Sequence, residues 1–155
     1  MKTPLAILGL ALVLGGCDPV YGVERDSYLW TAPKLDCVQR AIEVTNGVAT
    51  VSMHERHRGK GLFHPTPWIY DYVYSGPPGS GVFGSLQVIK TYDGKFSYHN
   101  ASMRLHAPPP QADIDNVRPV MRAIEKNLAS RCGIYELNTT VQETCTGVTC
   151  KPLTD

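Results

Sequence analysis

The spacing of apolar side chains changes period several times along the chain, and each change marks an element. Leu35, Val38 and Ile42 step by three and four, which predicts a helix over residues 31–46. Thr31 is placed to cap it, Pro33 suits the first turn, and Gly47 stands beyond the end as a left-handed terminator. Residues 48–55 then alternate, with Ala49, Val51 and Met53 on one side, as in a half-buried strand. Residues 68–74 resume strand character, rich in aromatic and β-branched side chains. Ser75-Gly-Pro-Pro-Gly-Ser80 reads as a turn or loop.

Residues 85–92 and 95–105 flank Asp93-Gly94, a dipeptide favoured in two-residue hairpins of type I′. That turn sets Val88 opposite His99 and Leu86 opposite Ala101. Leu86, Val88, Ala101, Met103 and Leu105 then share the expected core face. Pro108-Pro109-Pro110 ends this region, and Ile114, Val117, Met121, Ile124 and Leu128 predict a second helix over 111–131. Pro119 lies inside it and is expected to kink it or to mark its true start. Cys132-Gly133 closes the helix, and threonine-rich alternation over 134–150 predicts one or two short strands.

Strands bracketed by helices point to the α+β class. The expected architecture is an antiparallel sheet of about four strands with two helices on one face, plus a short disulfide-stapled C-terminal strand segment. Residues 17–30 show neither period and read as a tether, which leaves residues 31–155 as a single domain.

The extreme N-terminus has its own pattern. Met1-Lys2 is followed by an apolar run from Leu5 to Leu14, then Leu14-Gly15-Gly16-Cys17. The run is about half of the ~20 residues a membrane-spanning helix needs. Cationic start, short apolar middle and small residues before a break are the parts of a secretory signal peptide. The last four residues resemble the lipobox of bacterial lipoproteins. The resemblance covers residues 1–17 alone. It implies removal of residues 1–16, lipidation of Cys17, and a lipid-anchored protein facing the periplasm in the bacterial cell envelope. Cleavage after Gly16 by the ordinary signal peptidase is the rival reading. Asp18 resembles the residue that retains lipoproteins at the inner membrane in some bacteria, a rule that varies between groups and leaves the choice of membrane open.

Charge and cysteines fit that address. Lys2 is the one charge in residues 1–16, so fourteen basic and fourteen acidic side chains follow it. Such balance argues against nucleic acid as a partner, because phosphate binding needs a net basic face. Assigning Cys17 to lipid leaves Cys37, Cys132, Cys145 and Cys150, an even number that reads as a disulfide framework in an oxidising compartment. Cys145 and Cys150 close a short glycine-containing loop, which leaves Cys37 to pair with Cys132. No Cys-x-x-Cys or zinc knuckle competes with this pairing.

Candidate chemistry is sparse. His54-Glu55-Arg56-His57 lacks the four-residue histidine spacing of the zinc-protease motif. A metal site assembled in space from His54, His57, His64, His99 or His106 stays as an alternative, though no cofactor is expected. Arg56, Arg58 and Lys60, with Gly59 and Gly61, form a basic loop without the spacing of a phosphate-binding loop. Trp68, Tyr70, Tyr72 and Tyr74 project from one side of their strand and offer a platform for a glycan or a protein. Asn100-Ala-Ser102 and Asn138-Thr-Thr140 match the glycosylation sequon by chance in a bacterial chain. No nucleophile elbow occurs, and an enzyme is not expected. The expectation is a membrane-anchored module that contacts an envelope protein or glycan through the aromatic strand or the basic loop. A periplasmic metal carrier or small enzyme using His54 and His57, and a toxin-immunity lipoprotein, are the alternatives.

Overall fold

The computed structural model describes residues 19–29, 32–57, 68–90, 95–133 and 141–150. Strands β1 (Val20–Leu29), β2 (Thr50–His57), β3 (Trp68–Ser75), β4 (Phe83–Lys90), β5 (Phe96–Leu105) and β6 (Gln142–Thr146) form one sheet. Helices α1 (Leu35–Glu43) and α2 (Gln111–Cys132) complete the α+β fold. The strand order is β2-β3-β4-β5-β1-β6, and every neighbouring pair is antiparallel. Among the described residues no helix is long and apolar enough to cross a membrane.

The sheet has six strands: the expected four (β2–β5), the stapled C-terminal segment as β6, and β1, which was not expected. Residues read as a tether from position 17 to 30 contain a ten-residue strand inserted between β5 and β6. Its pattern hides it. Of the positions turned to the helices, Val23 is aliphatic, but Arg25 and Ser27 are polar and equally buried. A period search expects apolar side chains there, and β1 instead buries a charge that other elements neutralise.

Both helices lie on one face of the sheet. Val38, Ala41 and Ile42 of α1 and Ile114, Val117, Met121, Ile124 and Leu128 of α2 are buried. They close over Val23, Tyr72, Tyr74, Leu86, Val88 and Tyr98. Cys37 and Cys132 form a disulfide that ties α1 to the end of α2, and Cys145 and Cys150 form a second one at β6. Helix α1 is shorter than its expected 31–46: Lys34 rather than Thr31 stands at its N-cap, and Val44 ends it, where the Thr45 hydroxyl donates back to the Ala41 carbonyl at 2.8 Å. Helix α2 runs through Pro119 and ends at Gly133, whose φ of 60° is left-handed.

The β4–β5 register differs from the hairpin expectation by one residue. Val88 lies opposite Tyr98 and Ser85 opposite Ala101. Lys90 pairs with Phe96, so five residues separate the paired ends rather than two. Asp93-Gly94 lies outside the described residues. Side chains alternate along a strand, so a one-residue shift exchanges the faces of β5. Tyr98 and Asn100 are therefore beneath the helices, while Ala101, Met103 and Leu105 belong to the other face with Ser85 and Gln87.

Candidate functional site

The face that meets the helices has little left to offer a ligand. Tyr72 and Tyr74, expected on a platform with Trp68 and Tyr70, are fully buried. The Tyr72 hydroxyl donates to the Leu35 carbonyl at 3.1 Å, and the Tyr74 hydroxyl to Asn100 Oδ1 at 2.9 Å. Burial, aided by the charges of Tyr70 and Asp36, pushes the Tyr72 phenol up to about 12. Of the four rings only Trp68, at the strand start, is exposed, and Tyr70 packs partly against the core. Tyr72 and Tyr74 are core, and the platform of four rings is corrected. The physical cause is that the helices cover this side of β3, so the large rings supply packing area.

The same face carries a buried ion network. Arg25 of β1 reaches Glu125 of α2 and Glu143 of β6, and Arg118 of α2 also donates to Glu143. Two guanidiniums and two carboxylates balance, and the network fastens β6 and α2 to β1. It is structural.

The opposite face has no helix on it among the described residues. Its positions form rows across the strands, and one row is His54, Asp71, Gln87, His99, Asp26 and Gln142. A cavity of about 330 Å³ opens on this face. Asp71, Ser85, Gln87, His99 and Arg56 supply its polar lining, and Val73, Phe83, Ala101 and Met103 its apolar walls. This volume falls at the small end of ligand pockets.

Asp71 is the unusual member. It is 2 % exposed although it sits on the face that the helices leave bare. Its Oδ2 lies 2.9 Å from Nη2 of Arg56, a side chain that is itself 63 % exposed. Its Oδ1 has no hydrogen-bond partner among the described residues. A carboxylate offers about four acceptor positions. A buried oxygen without a donor is costly, of order 1–3 kcal/mol. Beside the cavity, His99 Nδ1 is 2.6 Å from Asp26 Oδ1, and Glu24 lies 3.8 Å from its Nε2. Across the described strand positions of this face, three carboxylates (Glu24, Asp26 and Asp71) stand against the single guanidinium of Arg56.

Comparison with family models, curated proteins and solved structures returns no match. The site is therefore read from its own chemistry.

The other expected site residues fare unevenly. Arg56 lies at the cavity, held by Asp71 rather than displayed in a basic loop. Arg58, Lys60, His64 and Cys17 lie outside the described residues. His54 and His99 share a row but stand on β2 and β5, three strand spacings apart, or about 14 Å. They are too far apart to share an ion. Positions 54 and 57 differ in parity on one strand and so belong to different faces. Glu143, Cys145 and Cys150 are close enough together to suggest a metal site, but both sulfurs are spent in a disulfide. Asn100 is fully buried, which removes its sequon from consideration. Sequence reasoning passed over Asp71. Its signal was an acidic residue between Ile69 and Val73 in a strand otherwise rich in apolar side chains.

Proposed function

We propose that the chain is a lipid-anchored binding module of the bacterial cell envelope, and that it receives its partner on the bare face of the sheet. The observation that carries this reading is Asp71: a buried carboxylate with one unfilled oxygen, at a cavity on the face without helices. Phe83 and Leu105, 52 % and 59 % exposed, add apolar area on the same side. Exposed apolar groups around a polar pocket suit a protein contact. The lipobox-like Leu14-Gly15-Gly16-Cys17 supports the anchor and the periplasmic address. The two disulfides suit an oxidising compartment.

Site-specific photo-crosslinking in living cells tests the docking face. A photo-reactive residue at Phe83 is expected to give a discrete adduct, and one at the exposed Lys126 of α2 none. Adducts from Lys126 alone would overturn the assignment of the face. Replacing Cys17 with serine is expected to release the protein from membrane fractions, and retention there would overturn the anchor.

A further inference from the structure

The binding reading above leaves the chemistry of the occupant open, and Asp71 narrows it. We infer that the cavity takes an alkylammonium group, supplied by a lysine side chain of the partner protein. This rests on the bare face being the docking face.

The unfilled atom is an acceptor, so the incoming group must donate. Asp71 Oδ1 is buried and without a partner, and Oδ2 already holds Arg56. A guanidinium prefers both oxygens of a carboxylate in parallel. With Oδ2 engaged, one oxygen remains, which suits the compact point charge of an ammonium. The walls agree with this choice. Val73, Phe83, Ala101 and Met103 are apolar, and a four-carbon stem can lie along them while its charged end reaches Asp71.

Long-range charge acts in the same direction. Glu24 and Asp26 flank His99 at the cavity, and Arg56 is the one opposing cation at the described strand positions of this face. A net negative surface attracts a cationic group and repels an acidic one.

Arg56 is the obstacle as well as the present partner. It reaches Asp71 diagonally from the next strand, since Asp71 itself pairs with His54. Most of the Arg56 side chain is in water, so it can shift quickly and uncover Oδ1 while its contact to Oδ2 is kept. Exposed apolar area at Phe83 in the cavity wall and at Leu105 on the same face favours a lysine carried on a protein surface over a free amine.

The test uses the folded, disulfide-bonded domain and three probes: a blocked Gly-Lys-Gly peptide, its norleucine counterpart and butylamine. Amide chemical shifts of Gln87, His99 and Ala101 report on binding. The lysine peptide is expected to give saturable shifts, and the norleucine peptide none. Asp71→Asn keeps the shape and is expected to weaken lysine binding about tenfold or more, the worth of a hydrogen bond between charged groups. Arg56→Gln is expected to tighten it, because the repelling positive charge beside the site is gone. A purely structural Arg56–Asp71 pair would lose stability on that change without gaining affinity. If Asp71→Asn fails to fold, the Arg56→Gln comparison still decides. Absence of saturable shifts in both wild type and Arg56→Gln overturns the inference, as does equal binding of the norleucine peptide. Binding of butylamine without the lysine peptide overturns the protein source. Crosslinking at Phe83 reads the docking face separately, so an adduct there without amine binding sinks only the choice of lysine.

Discussion

Arg25 on β1 and Glu125 on α2 meet as a two-pronged ion pair, Nε at 2.7 Å from Oε1 and Nη2 at 2.8 Å from Oε2. Both side chains are about nine-tenths buried. Removing one partner of such a pair leaves the other charge stranded, which costs about 3–5 kcal/mol. Arg25→Met is expected to destabilise the domain by that amount in urea titration with both disulfides intact. Arg25→Met with Glu125→Leu should recover part of it, because the stranded carboxylate is gone. Additive losses from the two changes would show that the residues act independently.

The same contact sets a pH dependence. Burial pushes the Glu125 carboxyl above its ordinary 4.5, against the opposing hydrogen bonds and charge of Arg25. As pH rises past 4.5 the unfolded chain releases this proton first. The folded form retains it up to its raised value, so stability falls across that window and then levels. Glu125→Gln lacks the proton. Thermal midpoints of the wild type are therefore expected to decline relative to Glu125→Gln from about pH 4.5 upward. A relative rise over that range would reverse the sign and the assignment.

Arg25 also explains what the sequence concealed. Helical periods made α2 and most of α1 readable, and so did the alternation of β2 and β3. Strand β1 was missed because its helix-facing positions include Arg25 and Ser27, whose burial depends on partners far along the chain. Local pattern has no access to a carboxylate 100 residues away. The register of β5 failed for a related reason. Ala101, Met103 and Leu105 looked like a core face by alternation, and only the pairing of Lys90 with Phe96 assigns them to the bare one. That shift also carried Ala101 and Met103 into the cavity, so the candidate site was unreadable until the register was known.

The two buried tyrosines should respond differently to loss of their hydroxyls. Tyr74 donates to Asn100, whose Nδ2 already has no partner among the described residues. Tyr74→Phe strands a second polar atom of a fully buried side chain and is expected to cost about 1–3 kcal/mol. Tyr72 donates to a partly buried backbone carbonyl at 3.1 Å, and Tyr72→Phe should cost about 0.5–1.5 kcal/mol. Gly84 adds a steric check, since a Cβ there would come within 2.4 Å of the Tyr74 hydroxyl. Gly84→Ala must displace that ring, and it is expected to lower the thermal midpoint at least as far as Tyr74→Phe.

The disulfides should differ in worth according to the chain they close. Cys37 and Cys132 are 95 residues apart, and loss of that link is expected to cost about 4–5 kcal/mol in the chain-entropy picture. Cys145 and Cys150 are 5 apart, which corresponds to about 2 kcal/mol. Guanidinium unfolding of the paired serine variants measures both. Equal losses would mean that native-state packing, rather than loop length, decides.

Asp71 supplies the sharpest contrast between stability and binding. A residue kept for the fold should cost stability when replaced, and one kept for a partner need not. Its carboxylate is buried, one oxygen lacks a donor, and its partner Arg56 is mostly in water. Removing Asp71 therefore strands no buried charge, because the guanidinium left behind is already in water. Valine would fill the position between Ile69 and Val73 with β-branched apolar volume and remove the unmet acceptor. Asp71→Val is therefore expected to leave the thermal midpoint unchanged or to raise it, while the saturable shifts with the lysine peptide disappear. Arg56→Gln, by contrast, takes the guanidinium from a carboxylate that stays buried, and is expected to cost about 1–3 kcal/mol while tightening lysine binding. If Asp71→Val instead unfolds the domain, the carboxylate is part of the framework, and its unfilled oxygen is a cost of the fold rather than a place for a partner.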